Sequence, residues 1–115
     1  ALQLAISSQP QKHHLVAVHH HPIPVEGWMD KHEWLNRQAF VDLISQFEQV
    51  KGVIYGHVHF AREHHVNNCF YWGCPSTCWQ FADSKEFALA PDAPGFRQLK
   101  LHDDGHISTD IFRIS

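Results

Sequence analysis

Long apolar runs are missing from this chain. No stretch approaches the ~20 apolar residues that a bilayer-spanning helix requires, and the opening residues carry no secretory signal pattern. Basic charge is scarce too. Nine Lys and Arg stand against twelve Asp and Glu, for a formal net charge of −3, and no basic stripe forms. A partner held by its phosphate backbone is a poor match for that balance, so neither DNA nor RNA is expected. Cysteine is sparse. Cys69, Cys74 and Cys78 are an odd set without a CxxC pair. That spacing argues against a disulfide framework and a zinc ribbon; reduced thiols in a cytoplasmic protein away from membranes are expected.

What the chain has in excess is histidine, twelve residues in 115. Histidine titrates near neutrality and is the commonest metal ligand. The remaining composition, 43% hydrophobic and 18% charged, suits one small globular domain over residues 1–115.

Ala1, Leu2, Leu4, Ala5 and Ile6 read as the last turns of a helix ended by Ser7-Ser8-Gln9-Pro10. A helix entered in mid-pattern suggests a piece of something larger. His14 to His20 is a short apolar, β-branched run that predicts a buried strand, stopped by Pro22 and Pro24. Residues 25–33 read as loop. Leu35, Ala39, Phe40, Leu43, Ile44 and Phe47 recur at spacings of three and four, which predicts an amphipathic helix over 33–49. A second buried strand over 51–59 again ends in histidines. Strand, helix and strand form a βαβ unit with a parallel pair, and the carboxyl ends of such strands line ligand crevices. Asn67-Asn68 predicts a hairpin, residues 80–95 a polar proline-rich loop, and Asp103-Asp104-Gly105 a second hairpin.

Both histidine groups fall at those carboxyl ends. His57 and His59 are two apart, and on an extended strand such residues share a face. His19-His20-His21 is no tag, because a strand precedes it and Pro-x-Pro follows. Three imidazoles packed together leave six ring nitrogens seeking partners, and a metal ion satisfies at least one. The sequence leaves open which of the three is a ligand. Three neutral imidazoles could hold one zinc with an open water position. A dinuclear centre would need carboxylates as well, and the nearest acids, Glu26, Asp30, Glu33 and Glu63, are not read as ligands.

VHHHPIP at 18–24, an amphipathic helix and then GHVH at 56–59 together resemble the C-terminal half of calcineurin-like metallophosphoesterases. CPSTCWQF at 74–81, APGFR at 93–97 and LHDDGHISTDIFRI at 101–114 resemble the bacterial class III 3′,5′-cyclic AMP phosphodiesterases. The resemblance implies the C-terminal half of a four-layer α/β/β/α sandwich. It implies two divalent metal ions, iron or manganese before zinc, and hydrolysis of 3′,5′-cyclic AMP or a related phosphodiester by a metal-bound hydroxide. It makes His19 a metal ligand and assigns His57 to one metal and His59 to the other. It makes His20 a catalytic, substrate-facing residue and Thr77 a substrate-binding residue. His21 stands where relatives often have proline and is no ligand. The family's N-terminal half supplies the remaining ligands, and its Gly-Asp and Gly-Asn-His motifs do not occur here. This chain alone is therefore expected to be inactive.

Two other readings stand beside it: a mononuclear zinc hydrolase using His19, His57 and His59, and a non-catalytic metal-binding module. Half of a layered sandwich exposes apolar surface, so self-association is expected. Trp28 is the tryptophan best placed for a pocket wall, and His64-His65 reads as solvated.

Overall fold

The computed structural model describes residues 1–114. Helix α1 spans Leu2–Ser7 and strand β1 His14–Val18, followed by a 3-10 turn at Trp28–His32. Helix α2 spans Arg37–Ser45 and strand β2 Val50–Tyr55. Strands β3 (Arg62–Val66), β4 (Cys69–Gly73), β5 (Gln80–Phe81), β6 (Leu89–Ala90), β7 (Gly95–Leu101) and β8 (Ile107–Arg113) complete the chain. The fold is mixed α/β.

Four strands form the main sheet in the order β1-β2-β4-β3. β1 and β2 are parallel, as the strand, helix, strand order requires, and β2 pairs parallel with β4. β3 and β4 form the expected antiparallel hairpin, turning at Asn67-Asn68, where Asn67 takes a φ of 56°. Asparagine tolerates that left-handed conformation better than most residues. The second expected hairpin is present as β7–β8, paired from Gly95↔Arg113 to Leu101↔Ile107.

Two expectations need correction. The helix over 33–49 is shorter, because Glu33 is extended and the residues before it are wound into the 3-10 turn. Leu35, counted into the helical period, lies ahead of the helix and is 87% exposed. The loop over 80–95 contains a short antiparallel pair, Gln80↔Ala90 and Phe81↔Leu89. Gln80 anchors it from within: its side chain accepts from the Ser76 N–H at 2.9 Å and donates to the Ser76 carbonyl at 2.7 Å.

Ile6 from α1 and Phe40, Val41 and Ile44 from α2 pack with Val50, Val53, Tyr55 and Tyr71 of the sheet in one apolar cluster. Fully burying a side chain of this kind contributes roughly 1.5–3 kcal/mol. The β7–β8 hairpin docks on the sheet at Gly52. A Cβ there would lie 2.6 Å from the Trp72 ring and 3.2 Å from Ile107 Cδ1, so the contact requires glycine. Arg97 secures the hairpin: Nη2 donates to the Gly73 carbonyl at 2.9 Å, and Nη1 to Thr109 Oγ1 at 3.0 Å. All three cysteines are free. Among the described residues no helix is long and apolar enough to cross a membrane.

Candidate functional site

Because β1 and β2 run parallel with Val18 opposite Tyr55, the chain leaves both strands at the same sheet edge. The Gly56 N–H donates to the His19 carbonyl at 3.2 Å and ties the two exits together. His19 Nε2 and His57 Nδ1 then lie 3.3 Å apart, although they are 38 residues apart in the chain. The His20 ring packs on His57 with centroids 4.4 Å apart, and the His21 ring is nearly parallel to His57 at 5.7 Å.

The geometry at His57 and His59 differs from the extended strand read from their spacing. β2 ends at Tyr55, and both histidines take positive φ, 67° and 56°. The Val58 N–H bonds back to the Gly56 carbonyl at 2.7 Å, a γ-turn centred on His57, while the Val58 side chain is fully buried. Left-handed backbone at a non-glycine residue costs on the order of 1 kcal/mol, and such residues concentrate at functional sites. A shared strand face does not bring the two rings to one cleft; the buried Val58 between two left-handed residues does.

His21 belongs to the support rather than to the cleft. It is fully buried, and its Nε2 donates to Asp30 Oδ1 at 3.1 Å. Asp30 also accepts from the Val25 N–H at 3.1 Å and the Glu26 N–H at 2.9 Å. Burial alone would raise the Asp30 pKa, but these hydrogen bonds and His21 hold it below the ordinary carboxylate value. Burial lowers the His21 pKa against the pull of Asp30.

Burial, and then the neighbouring His20, His19 and His21, push the His57 pKa down to about 4. The ring is therefore neutral at physiological pH, the form that binds metals. Its Nε2 is buried without a well-formed hydrogen bond, and a backbone contact with His32 acts on the ring against the effect of burial. His59 Nδ1 donates to the Trp79 carbonyl at 3.0 Å, which leaves Nε2 as the bare lone pair. An outer partner of this kind fixes the tautomer of metal-ligating histidines.

His19, His57 and His59 line one open cleft of about 500 Å³. Trp28 and Met29 form its floor side, and Trp79, Phe81 and Phe87 extend it from the β5–β6 segment. His20 opens onto a neighbouring hollow with Val18 and Trp34. Thr77 lies exposed on the loop before β5, away from the cleft lining. Sequence reasoning missed His32, Phe81 and Phe87, and read Trp79 as ordinary packing. It also passed over two Asp-x-His triplets, Asp30-Lys31-His32 and Asp104-Gly105-His106. The first would have drawn attention to His32, whose ring packs edge-on to Trp28 in the cleft. Neither triplet supplies a carboxylate here: Asp30 is spent on His21 and backbone N–H groups, and Asp104 caps the His106 N–H in the far hairpin.

These donors fit part of a divalent-metal donor set. His57 offers a buried nitrogen without a well-formed hydrogen bond and His59 an oriented one. Among the described residues, however, no three His, Cys, Asp or Glu side chains are placed to hold an ion.

No family model matches the chain. A 3′,5′-cyclic adenosine monophosphate phosphodiesterase of Pseudomonas aeruginosa is 40% identical over 115 residues, covering 98% of this chain and 42% of the relative. A 3′,5′-cyclic-nucleotide phosphodiesterase of Nostoc is 42% identical over 109 residues, covering 91% of this chain and 40% of the relative. The Escherichia coli K12 cyclic AMP phosphodiesterase is 34% identical over 116 residues, with 99% and 42% covered. Along nearly all of its length, this chain is thus homologous to part of the bacterial 3′,5′-cyclic AMP phosphodiesterases, and it spans about 42% of their length.

Proposed function

We propose that His19, His57 and His59 are the histidine contribution to a dinuclear metal centre that hydrolyses 3′,5′-cyclic AMP or a related phosphodiester. The observation that carries this reading is the meeting of His19 and His57 from two parallel strands, 3.3 Å apart, with the buried His57 Nε2 left without a well-formed hydrogen bond. The names of the relatives support the substrate class. In this reading the chain forms part of a four-layer α/β/β/α sandwich, and the acidic ligands come from outside the described residues.

When bound, two divalent ions, iron or manganese before zinc, supply an activated water and neutralise charge on the phosphodiester. The chain's own residues have narrower tasks. His57 stays neutral, so it presents a lone pair. The Trp79 carbonyl holds His59 in a single tautomer. His20, tilted against His57 and exposed on the neighbouring hollow, would approach the phosphodiester from beside the cleft. Thr77 has no task here, because it stands off the cleft.

The test is a chimera in which this chain replaces the matched part of the Pseudomonas aeruginosa relative. With Mn²⁺, the folded chimera should hydrolyse cyclic AMP, while the isolated chain should not. His19→Ala and His57→Ala should each lower kcat/KM at least ~100-fold, the upper end of what even outer-shell losses cost. A folded chimera whose activity survives both substitutions would contradict the reading.

A further inference from the structure

The cleft has a second wall that the imidazoles do not explain. Phe81 is its hub: Trp28 meets it edge-on at 4.8 Å, Trp79 at 4.7 Å and 90°, and His59 stacks on it at 4.6 Å. Phe87 packs edge-on against Trp28 at 4.8 Å. Trp28 is buried and pinned, its indole N–H donating to the Ala82 carbonyl at 3.2 Å. The inner rings are thus fixed. The outer two are not covered: Trp79 is 48% and Phe87 64% exposed, both on the rim of the cleft.

We propose that Trp79 and Phe87 form a base-stacking subsite, which takes the flat heterocycle of a nucleoside whose phosphate points toward His19 and His57. The phosphate half of this statement rests on the phosphodiesterase reading; the stacking half does not. A sugar phosphate alone would occupy the imidazole end and leave the exposed Trp79 and Phe87 rings uncovered. A ligand with a flat apolar body and an anionic head matches both walls, and a cleft with an apolar lining and few polar groups is the usual form of a small-ligand site. Stacking needs no base-specific hydrogen bond, so the subsite should accept purines generally.

The experiment is equilibrium binding of adenosine, 5′-AMP and ribose 5-phosphate to the purified chain with Mn²⁺ present, by calorimetry. Adenosine should bind, and Trp79→Ala and Phe87→Ala should each weaken it roughly 5- to 150-fold, the range for loss of one stacked base. Trp79→Phe should restore most of the affinity, which separates stacking from a folding defect. His19→Ala with His57→Ala should leave adenosine unchanged and remove the extra affinity of 5′-AMP over adenosine. Adenosine that fails to bind, or that binds both alanine variants like the wild type, would overturn the subsite. If instead 5′-AMP keeps its advantage in the double histidine variant, the subsite stands and the phosphate reading fails.

Discussion

Asp30 holds the fully buried His21 through a 3.1 Å hydrogen bond, and the same carboxylate collects the backbone N–H groups of Val25 and Glu26. One side chain thereby closes the turn that follows the three histidines. It also sets the ring on which His57 packs.

Asp30→Ala leaves a buried imidazole N–H and two backbone donors without their acceptor. Each buried, unsatisfied group costs about 1–3 kcal/mol, so a loss of roughly 3 kcal/mol is expected by urea denaturation. Asp30→Asn keeps one acceptor oxygen and should lose about half as much. Equal stability of Asp30→Ala and the wild type would show that the turn is held by something else.

Stability of the metal-free chain should fall as the pH is lowered through mild acid. His57 titrates at about 4 in the folded chain against 6.5 when unperturbed, and His21 is shifted in the same direction. The unfolded chain therefore takes up protons first. The stability from the neutral rings is complete above 6.5 and drains away between 6.5 and about 4. Asp30, lowered from 3.8, adds a further loss below that value. In EDTA, the urea midpoint should be lower at pH 5 than at pH 7.5, and His57→Gln should flatten the difference. A midpoint that does not move over this range would refute the assignment.

The thiols should react in order of exposure. Burial pushes Cys69 up to about 12, so at pH 8 it holds almost no thiolate, whereas Cys78 is exposed. Timed iodoacetamide alkylation read by mass spectrometry should label Cys78 first and Cys69 only on unfolding. Early labelling of Cys69 would mean that the strand carrying it opens readily.

The chain should self-associate. The β7–β8 hairpin exposes Phe96, Leu101, Phe112 and Ile114, and β1 stands at the edge of the main sheet. Exposed apolar surface beside an unpaired edge invites pairing. Sedimentation velocity should show a weight-average mass rising with concentration, and Phe96→Glu with Phe112→Glu should suppress the rise. A monomer at every concentration would count against this.

Much of the fold was legible in the sequence. β1 and β2 carry continuous apolar runs, and the helix between them forces a parallel pair, so the edge where the histidines gather followed from element order. Asn67-Asn68 and Asp103-Asp104-Gly105 announced their hairpins through turn chemistry. The rest depended on contacts that no local pattern encodes. Leu35 fits the helical period yet lies ahead of the helix, because the 3-10 turn occupies the preceding residues. β5 and β6 are two residues each, and the buried Gln80 between Ser76 and the chain holds them. His57 and His59 reach the cleft through left-handed backbone, which spacing cannot reveal. The aromatic wall is assembled from Trp28 and residues more than fifty positions later.

The central claim is that His19, His57 and His59 form the metal-holding edge of the cleft. Titrating Mn²⁺ into the chain and following the twelve imidazole signals by NMR tests it directly, because paramagnetic broadening reports even weak, partial sites. His19, His57 and His59 should broaden first, while His64, His65 and the neighbouring His102 and His106 stay sharp. Broadening that begins at His102 and His106, or spreads evenly over all the histidines, would contradict the claim.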